Sequence, residues 1–406
     1  VSDRFSRRTD WPAASNRISE LTDRFRSEGT DWIDLTDSNP TRCGLELSGI
    51  DRLGALSDRS DLAYTPDPKG LLRAREAVCA YYAAKGVRVD PGQIILTSGT
   101  SEAYNWVLRL LTRPGQPVLT PAPSYPLIDL LLDLNDIGQR RYPLRCGGAD
   151  TGTGAGPDGN GWTFSAADAR SVHRPGTPAF IAIHANNPTG HTFSPAERAA
   201  LVEFARTEKM SLIVDEVFLD YSERPEATFA SEMDVLTFTL SGISKVLGLP
   251  QMKLSWIVVS GPEAERNEAL RRLEIMADVF LSVNAPVQNA LGEWMRHAPA
   301  VRSRILERVR TNRAVLDSAL CGSAVLRALP CAGAWTAVLR LPDGSDDEAS
   351  AYDLLNTARV LIHPGYLFDF PSGSHLVLSL LPPPDRFAEG VRRIVRTPVP
   401  RAVPSS

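Results

Sequence analysis

Three short apolar runs in this chain each lead to a polar side chain of a different kind, and this repetition constrains the fold more than any other feature. Phe180 to Ile183 leads to Asn186-Asn187-Pro188-Thr189-Gly190, Leu212 to Val214 leads to Asp215-Glu216, and Leu236 to Leu240 leads to Ser241-Gly242-Ile243-Ser244-Lys245. Such runs read as buried strands, so the Asn, the Asp and the Lys fall at strand carboxyl ends, where open α/β sheets hold ligands. The neighbouring segments agree. Strands are expected at Ile94–Leu96, Val118–Leu119 and Trp256–Val259, and helices at Ser101–Leu111, Leu127–Leu134 and Pro195–Glu208. The alternation predicts an α/β fold with βα units around a mainly parallel, helix-flanked sheet.

Around this centre the pattern changes. Asn16 to Ser27 and Leu71 to Ala84 carry helical spacing, the second after the breaker cluster Pro66-Asp67-Pro68-Lys69-Gly70. Gly147 to Gly161 is rich in glycine, with Asp, Thr and Asn, and reads as a surface excursion. Beyond about Pro286 one long helical stretch, Gln288–Leu320, leads into a smaller α+β region with strands near Trp335–Leu339 and Leu376–Leu380. The expected division is an N-terminal segment over residues 1–50 that joins the small domain, a large domain over 51–285, a small domain over 286–396, and a disordered tail over 397–406. No internal repeat is visible.

Composition excludes some function classes. A net charge of −4 gives no basic footprint for nucleic acid. The five cysteines, Cys43, Cys79, Cys146, Cys321 and Cys331, have no metal-type spacing and read as reduced thiols in a cytoplasm. The first residues are polar, without the apolar core of a signal peptide, and no run is long enough to span a bilayer. His184, His363 and His375 have no partners at metal spacing and are expected to be structural or solvent-facing; no metal is expected.

A lysine, a carboxylate and an amide gathered at strand ends suit pyridoxal phosphate (PLP). The lysine forms a Schiff base with the cofactor, and the carboxylate pairs with its pyridinium nitrogen. From about Asp37 to about Ile394 the motif order resembles the class I/II aminotransferases, a large family of fold-type I PLP enzymes. The resemblance implies roles residue by residue. Lys245 is the covalent attachment point, and Asp215 serves the ring nitrogen, with Glu216 left structural. Asn187 donates to the ring oxygen from a rigid Pro-containing turn. Ser98-Gly99-Thr100, between a strand and a helix, holds the phosphate with backbone N–H groups. Ser244 adjoins Lys245 among the cofactor ligands. Tyr125 stacks on the pyridine face, and Tyr64 reaches the phosphate of a neighbouring subunit, which requires a homodimer.

Four departures stand out. Lys253 replaces the usual phosphate-binding arginine, keeping charge but losing the bidentate fork. Gly242 stands where many members have a phosphate-binding serine, with Ser241 or Ser244 as the expected substitute. Phe218 stands where many have a tyrosine. Val377, in Leu376-Val377-Leu378-Ser379, occupies the place of the arginine that grips the substrate α-carboxylate. Arg42, with Asn39 beside it, is the candidate replacement. The implied activity is transfer of an amino group between an amino acid or amine and a 2-oxo acid. Decarboxylation or β/γ-elimination on the same frame, and a non-catalytic PLP-binding sensor, stay open at this point.

Overall fold

The computed structural model describes residues 4–11, 16–45, 54–57, 64–147, 161–323 and 325–398 of the 406-residue chain. Its centre is an eight-stranded sheet of β1 (Ile94–Thr97), β2 (Pro117–Ala122), β3 (Gly138–Cys146), β4 (Trp162–Phe164), β5 (Ala179–Ile183), β6 (Ser211–Asp215), β7 (Thr237–Gly242) and β8 (Ser255–Ser260). The spatial order is β1-β8-β7-β6-β5-β2-β3-β4. The run from β7 through β6, β5 and β2 to β3 is parallel; β8 runs antiparallel to both β1 and β7, and β4 antiparallel to β3.

Period-two alternation divides the sheet's side chains between two layers. Ile181, Ile213, Phe238 and Ile257 pack under the helices Thr100–Leu111, Leu127–Leu134 and Glu263–Phe280. On the other face Phe180, Leu212 and Val214 meet Leu201 and Phe204 of the helix Pro195–Thr207. Ile94, Leu96, Trp256 and Val258 meet Ala74, Val78 and Tyr82 of the helix Leu72–Ala83. Both faces are covered, so the strands read as continuous apolar runs.

Among the elements that differ from the sequence expectation, three bear on the large domain and the approach to the second lobe. The single stretch Gln288–Leu320 is two helices, Ala285–Met295 and Ala298–Leu320, each with proline in its first turn. Proline lacks an N–H, which a first turn does not need but a helix interior does. Strand β3 was not anticipated, because Gln139, Arg140, Arg141 and Arg145 mask its alternation; only Tyr142, Leu144 and Cys146 turn fully inward. The helix Glu263–Phe280 buries only Ala269, Leu273 and Ala277, a stripe too thin to register in a polar sequence. Gly147 donates its N–H to Gly161 O at 2.6 Å, which closes the base of the glycine-rich excursion; residues 148–160 lie outside the described residues. Of the expected tail, 399–406 also lie outside them.

A second core joins the two ends of the chain. Ile18, Leu21 and Phe25 of the helix Arg17–Glu28 pack with Leu316 and Leu320, with Phe387, Val391 and Ile394, and with the inner face of a four-stranded antiparallel sheet. That sheet is β9 (Arg327–Ala328), β10 (Thr336–Arg340), β11 (His363–Pro364) and β12 (His375–Ser379), in the order β9-β10-β12-β11. Ile33–Asp34 pairs in parallel with Val360–Leu361, which carries the following residues, 35–45, towards the carboxyl edge of the large sheet. No helix among the described residues is long and apolar enough to cross a membrane.

Candidate active site

The polar groups converge because their strands are neighbours. Asp215 ends β6, Gly242 ends β7 ahead of the short helix Ile243–Val246 that carries Lys245, and Asn186–Asn187 follow β5. Lys245 is half-buried. Its Nζ lies 4.7 Å from the ring centre of Trp335 and 5.0 Å from that of Phe218, and Tyr221 Oη donates to its carbonyl at 2.6 Å. Burial lowers the Lys245 ammonium to about 8, against the opposing pull of the Asp215 charge. A depressed pKa leaves part of the amine neutral and nucleophilic near neutral pH.

Asp215 is buried, 2 % exposed. Its Oδ1 accepts from the Val217 N–H at 3.1 Å and its Oδ2 from Tyr104 Oη at 3.1 Å. Burial raises the carboxyl to about 6, held back by those two bonds and by Lys245. A buried carboxylate with one cation in the neighbourhood is prepared for a second positive group. Tyr125 borders the same pair. Its phenol interacts with Tyr104, and burial together with the Asp215 charge raises it well above its usual value.

The two asparagines differ in use. Asn186 Oδ1 accepts from Thr189 N (3.3 Å) and Oγ1 (2.8 Å), and Asn186 Nδ2 donates to Pro123 O at 3.3 Å, so this side chain builds the turn. Asn187 Oδ1 is buried without a partner among the described residues. Buried polar atoms are nearly always satisfied, and an orphan at a strand-end cleft fits a bound polar ligand.

Ser98-Gly99-Thr100 follows β1 and opens the helix Thr100–Leu111. Ser98 N–H and Oγ both donate to Glu102 Oε2, at 2.7 and 2.9 Å. The Glu102 N–H already donates to Gly99 O at 3.0 Å, so the amides the helix start leaves unpaired are those of Thr100 and Ser101. A Cβ on Gly99 would stand 3.2 Å from Lys253 Nζ, which places that ammonium over the loop. Bare amides beside a lysine are the donor set an anionic phosphate requires.

The opposite wall of the cleft is made by Thr36 to Pro40, Arg42, Pro250 and His363, with Lys245 at the base. Asn39 Oδ1 accepts from Thr41 N and Oγ1, at 3.1 and 2.8 Å, and shapes that loop. Arg42 Nε donates to Asp37 Oδ2 at 3.0 Å while most of its side chain stays exposed. Val377 is buried against Val338, Leu329 and Phe368 and brings no polar group. Its register partner across β11–β12 is His363, which lines the cleft, whereas the sequence reading made it structural or solvent-facing. His184 and His375 are structural: His184 Nδ1 accepts from Phe193 N, and His375 stacks on Phe370 at 4.1 Å. Tyr64 is not brought to this cleft within one chain. It is 81 % exposed and lines a groove with Pro66, Asp67, Pro68, Gly70, Trp106 and Asn284.

Tyr104, Trp335 and His363 were missed from sequence. Tyr104 carries a usable signal, lying four residues after Thr100 on the helix face that meets the sheet. Trp335 and His363 arrive from the second lobe, about 90 and 120 positions after Lys245, and no local pattern announces them. Among the described residues no group of three or more His, Cys, Asp or Glu could share a metal ion.

Comparison with known proteins gives a consistent result. Residues 38–386 match the family described as aminotransferase class I and II. The chain is 27 % identical over 382 residues to an alanine aminotransferase of Mycobacterium tuberculosis, covering 91 % of this chain and 86 % of that one. It is 26 % identical to the glutamate-pyruvate aminotransferase AlaA of Escherichia coli, covering 92 % of each. Among solved structures, an alanine aminotransferase from Pyrococcus furiosus has a similar fold, with a TM-score of 0.85, 21 % identity and coverage of 97 % and 99 %.

Proposed function

The chain belongs to the class I and II aminotransferases, and on that premise we propose how its residues divide the work. It is a PLP-dependent enzyme that moves amino groups between amino acids or amines and 2-oxo acids. When bound, PLP supplies an aldehyde that captures amines and a ring that draws electrons from the adjoining carbon.

Lys245 holds the cofactor covalently in the resting enzyme. With PLP bound, the neutral Lys245 Nζ would be the base that accepts the substrate's Cα proton. The walls of Trp335 and Phe218 keep that amine out of bulk water. Asp215 holds a proton on the ring nitrogen, and Tyr104 and the Val217 N–H fix its carboxylate for that contact. Asn187 would donate to the ring oxygen through its Nδ2, and Tyr125 would cover the ring face. Gly99, Thr100 and Lys253 would receive the phosphate, with Ser244 beside Lys245; Ser98, expected among the phosphate ligands, spends its N–H and Oγ on Glu102 and would shape the loop instead. The observation that carries this assignment is the convergence of Lys245, Asp215 and the Asn187 side chain at adjoining strand ends.

At the substrate end, Asn39 and Arg42 orient the donor, with Arg42 taking a carboxylate that residue 377 cannot hold. The position of Arg42 on the same cleft as Lys245 supports this. Tyr64 completes the site of a second subunit in a homodimer; its exposure beside a groove is consistent with a partner surface there. The proposed compartment is the cytoplasm. The proposed domains are 51–285 for the cofactor and 286–396 with 1–50 for closure over the substrate. The helix Arg17–Glu28 packing on the C-terminal core supports that pairing of the chain ends.

Borohydride reduction followed by peptide mass spectrometry tests the central assignment. The cofactor mass is expected on the peptide containing Lys245; a label on another lysine, or on none, overturns it.

A further inference from the structure

We propose that Ser255 supplies the phosphate-binding hydroxyl that position 242 lacks. This rests on the assignment of Gly99, Thr100 and Lys253 to the phosphate. Gly242 has φ −178° and ψ 165°, an extended conformation open to any residue, so the backbone does not demand glycine. Space does. A Cβ at 242 would stand 2.2 Å from Ser255 Oγ and 2.9 Å from Ser255 Cβ, too close for a real contact. The hydroxyl of Ser255 therefore fills the volume into which a side chain at 242 would begin.

The sheet register explains how. Gly242 and Ser255 are direct partners on β7 and β8, and Ser255 is also the partner of Thr97 on β1. Residues directly opposite one another project their side chains to the same face. Ser255 is thus set between the strand that leads into the Ser98–Thr100 loop and the strand that leads to Lys245. Two residues before it, Lys253 reaches over Gly99. A serine on the central strand of this trio presents its hydroxyl where a serine on the flanking strand would. Ser241 cannot do so, because successive residues of a strand face opposite sides. The pair has exchanged sizes across the ladder: small at 242, hydroxyl-bearing at 255. The ligand chemistry is a phosphate monoester dianion, which accepts the O–H as one of several donors.

The test measures binding to the apoprotein rather than turnover. PLP and pyridoxal, which lacks the phosphate, are titrated spectroscopically against the parent, Ser255→Ala, Lys253→Ala, Gly242→Ser and the exchange variant Gly242→Ser with Ser255→Gly. A hydrogen bond to a charged group corresponds to roughly a ten- to hundredfold change in Kd. Ser255→Ala is expected to weaken PLP by that factor and leave pyridoxal unchanged, and the exchange variant to recover most of the loss. Gly242→Ser alone is expected to bind worse than the exchange variant, because two side chains then compete for one volume. If Ser255→Ala weakens PLP and pyridoxal equally, or neither, the proposal fails. If Lys253→Ala and Ser255→Ala both leave PLP binding intact, the phosphate assignment itself is wrong; loss with Lys253→Ala alone overturns only the role of Ser255. Should Ser255→Ala fail to fold, the exchange variant decides: no more than a few-fold difference from the parent for PLP supports the proposal, and a PLP-specific loss of more than tenfold overturns it.

Discussion

The proposed cofactor end of the cleft and its proposed substrate end are built on different principles. At the cofactor end each chemical group stands on a buried strand end or the turn directly after it, and its neighbours are fixed by sheet register. Asp215 is tied by two hydrogen bonds, and Lys253 and the Ser98–Thr100 loop face each other. The substrate end is a loop, residues 36–42, resting against a strand pair of the second lobe. Its one arginine is largely exposed and shared with Asp37, and the strand position expected to carry a second arginine is the apolar Val377. Loops allow the recognition of substrates to drift, because their geometry is not tied to a ladder.

If this contrast is right, damage at the cofactor end should be large and indifferent to substrate. Asp215→Asn removes the counter-charge of the ring nitrogen from a buried site. Breaking a buried charge pair costs roughly 3–5 kcal/mol, a factor of about a hundred to several thousand in rate. Single-turnover kinetics with any competent donor should show that loss in a protein of native circular dichroism. A near-normal rate would mean that Asp215 serves another group.

Damage at the substrate end should be smaller and selective. Arg42→Ala is expected to reduce kcat/KM for amino acids by roughly ten- to a hundredfold relative to amines of similar shape without a carboxylate. Equal losses for the two classes would place Arg42 outside the binding of the carboxylate, and the two ends would then differ less than proposed.

The pH dependence of cofactor capture reads the buried lysine directly. Burial holds the Lys245 ammonium at about 8, below the usual lysine range, and only the neutral amine attacks. Stopped-flow capture of PLP by the apoprotein should accelerate close to tenfold per pH unit below about 8 and level off above it. Capture still rising steeply at pH 10 would indicate a solvated lysine.

The smallest expected effect is that of Phe218→Tyr. Phe218 is buried, edge-on to Trp335 at 5.2 Å, and borders Lys245. An added hydroxyl near the cofactor's ring oxygen favours the deprotonated form and should lower the pH of the holoenzyme's spectral transition. The shift should be no more than about one unit, the scale of a single neutral hydrogen bond. An unchanged or raised transition would show that residue 218 does not face the ring.

The placement of Lys245, Asp215 and Asn187 at neighbouring strand ends was legible in the sequence, since a parallel sheet buried on both faces must be written as apolar runs and each run leads to one edge. The fold class followed from the same runs. The second strand partner of that logic, β3, was not legible, because it lies towards the sheet's edge and its charges hide the alternation.

Local sequence determined which chemistry this chain carries: the amine, the carboxylate and the amide are set by strand termini, and strand termini are set by short-range pattern. Tertiary structure alone decided what surrounds them. It brought Trp335 and His363 from the second lobe, turned Tyr104 onto Asp215, and set Ser255 in the space above Gly242. The physical reason is separation along the chain. Periodicity reports which way a side chain faces within its own element, while the identity of the group it meets depends on register and on packing between elements that no local window contains.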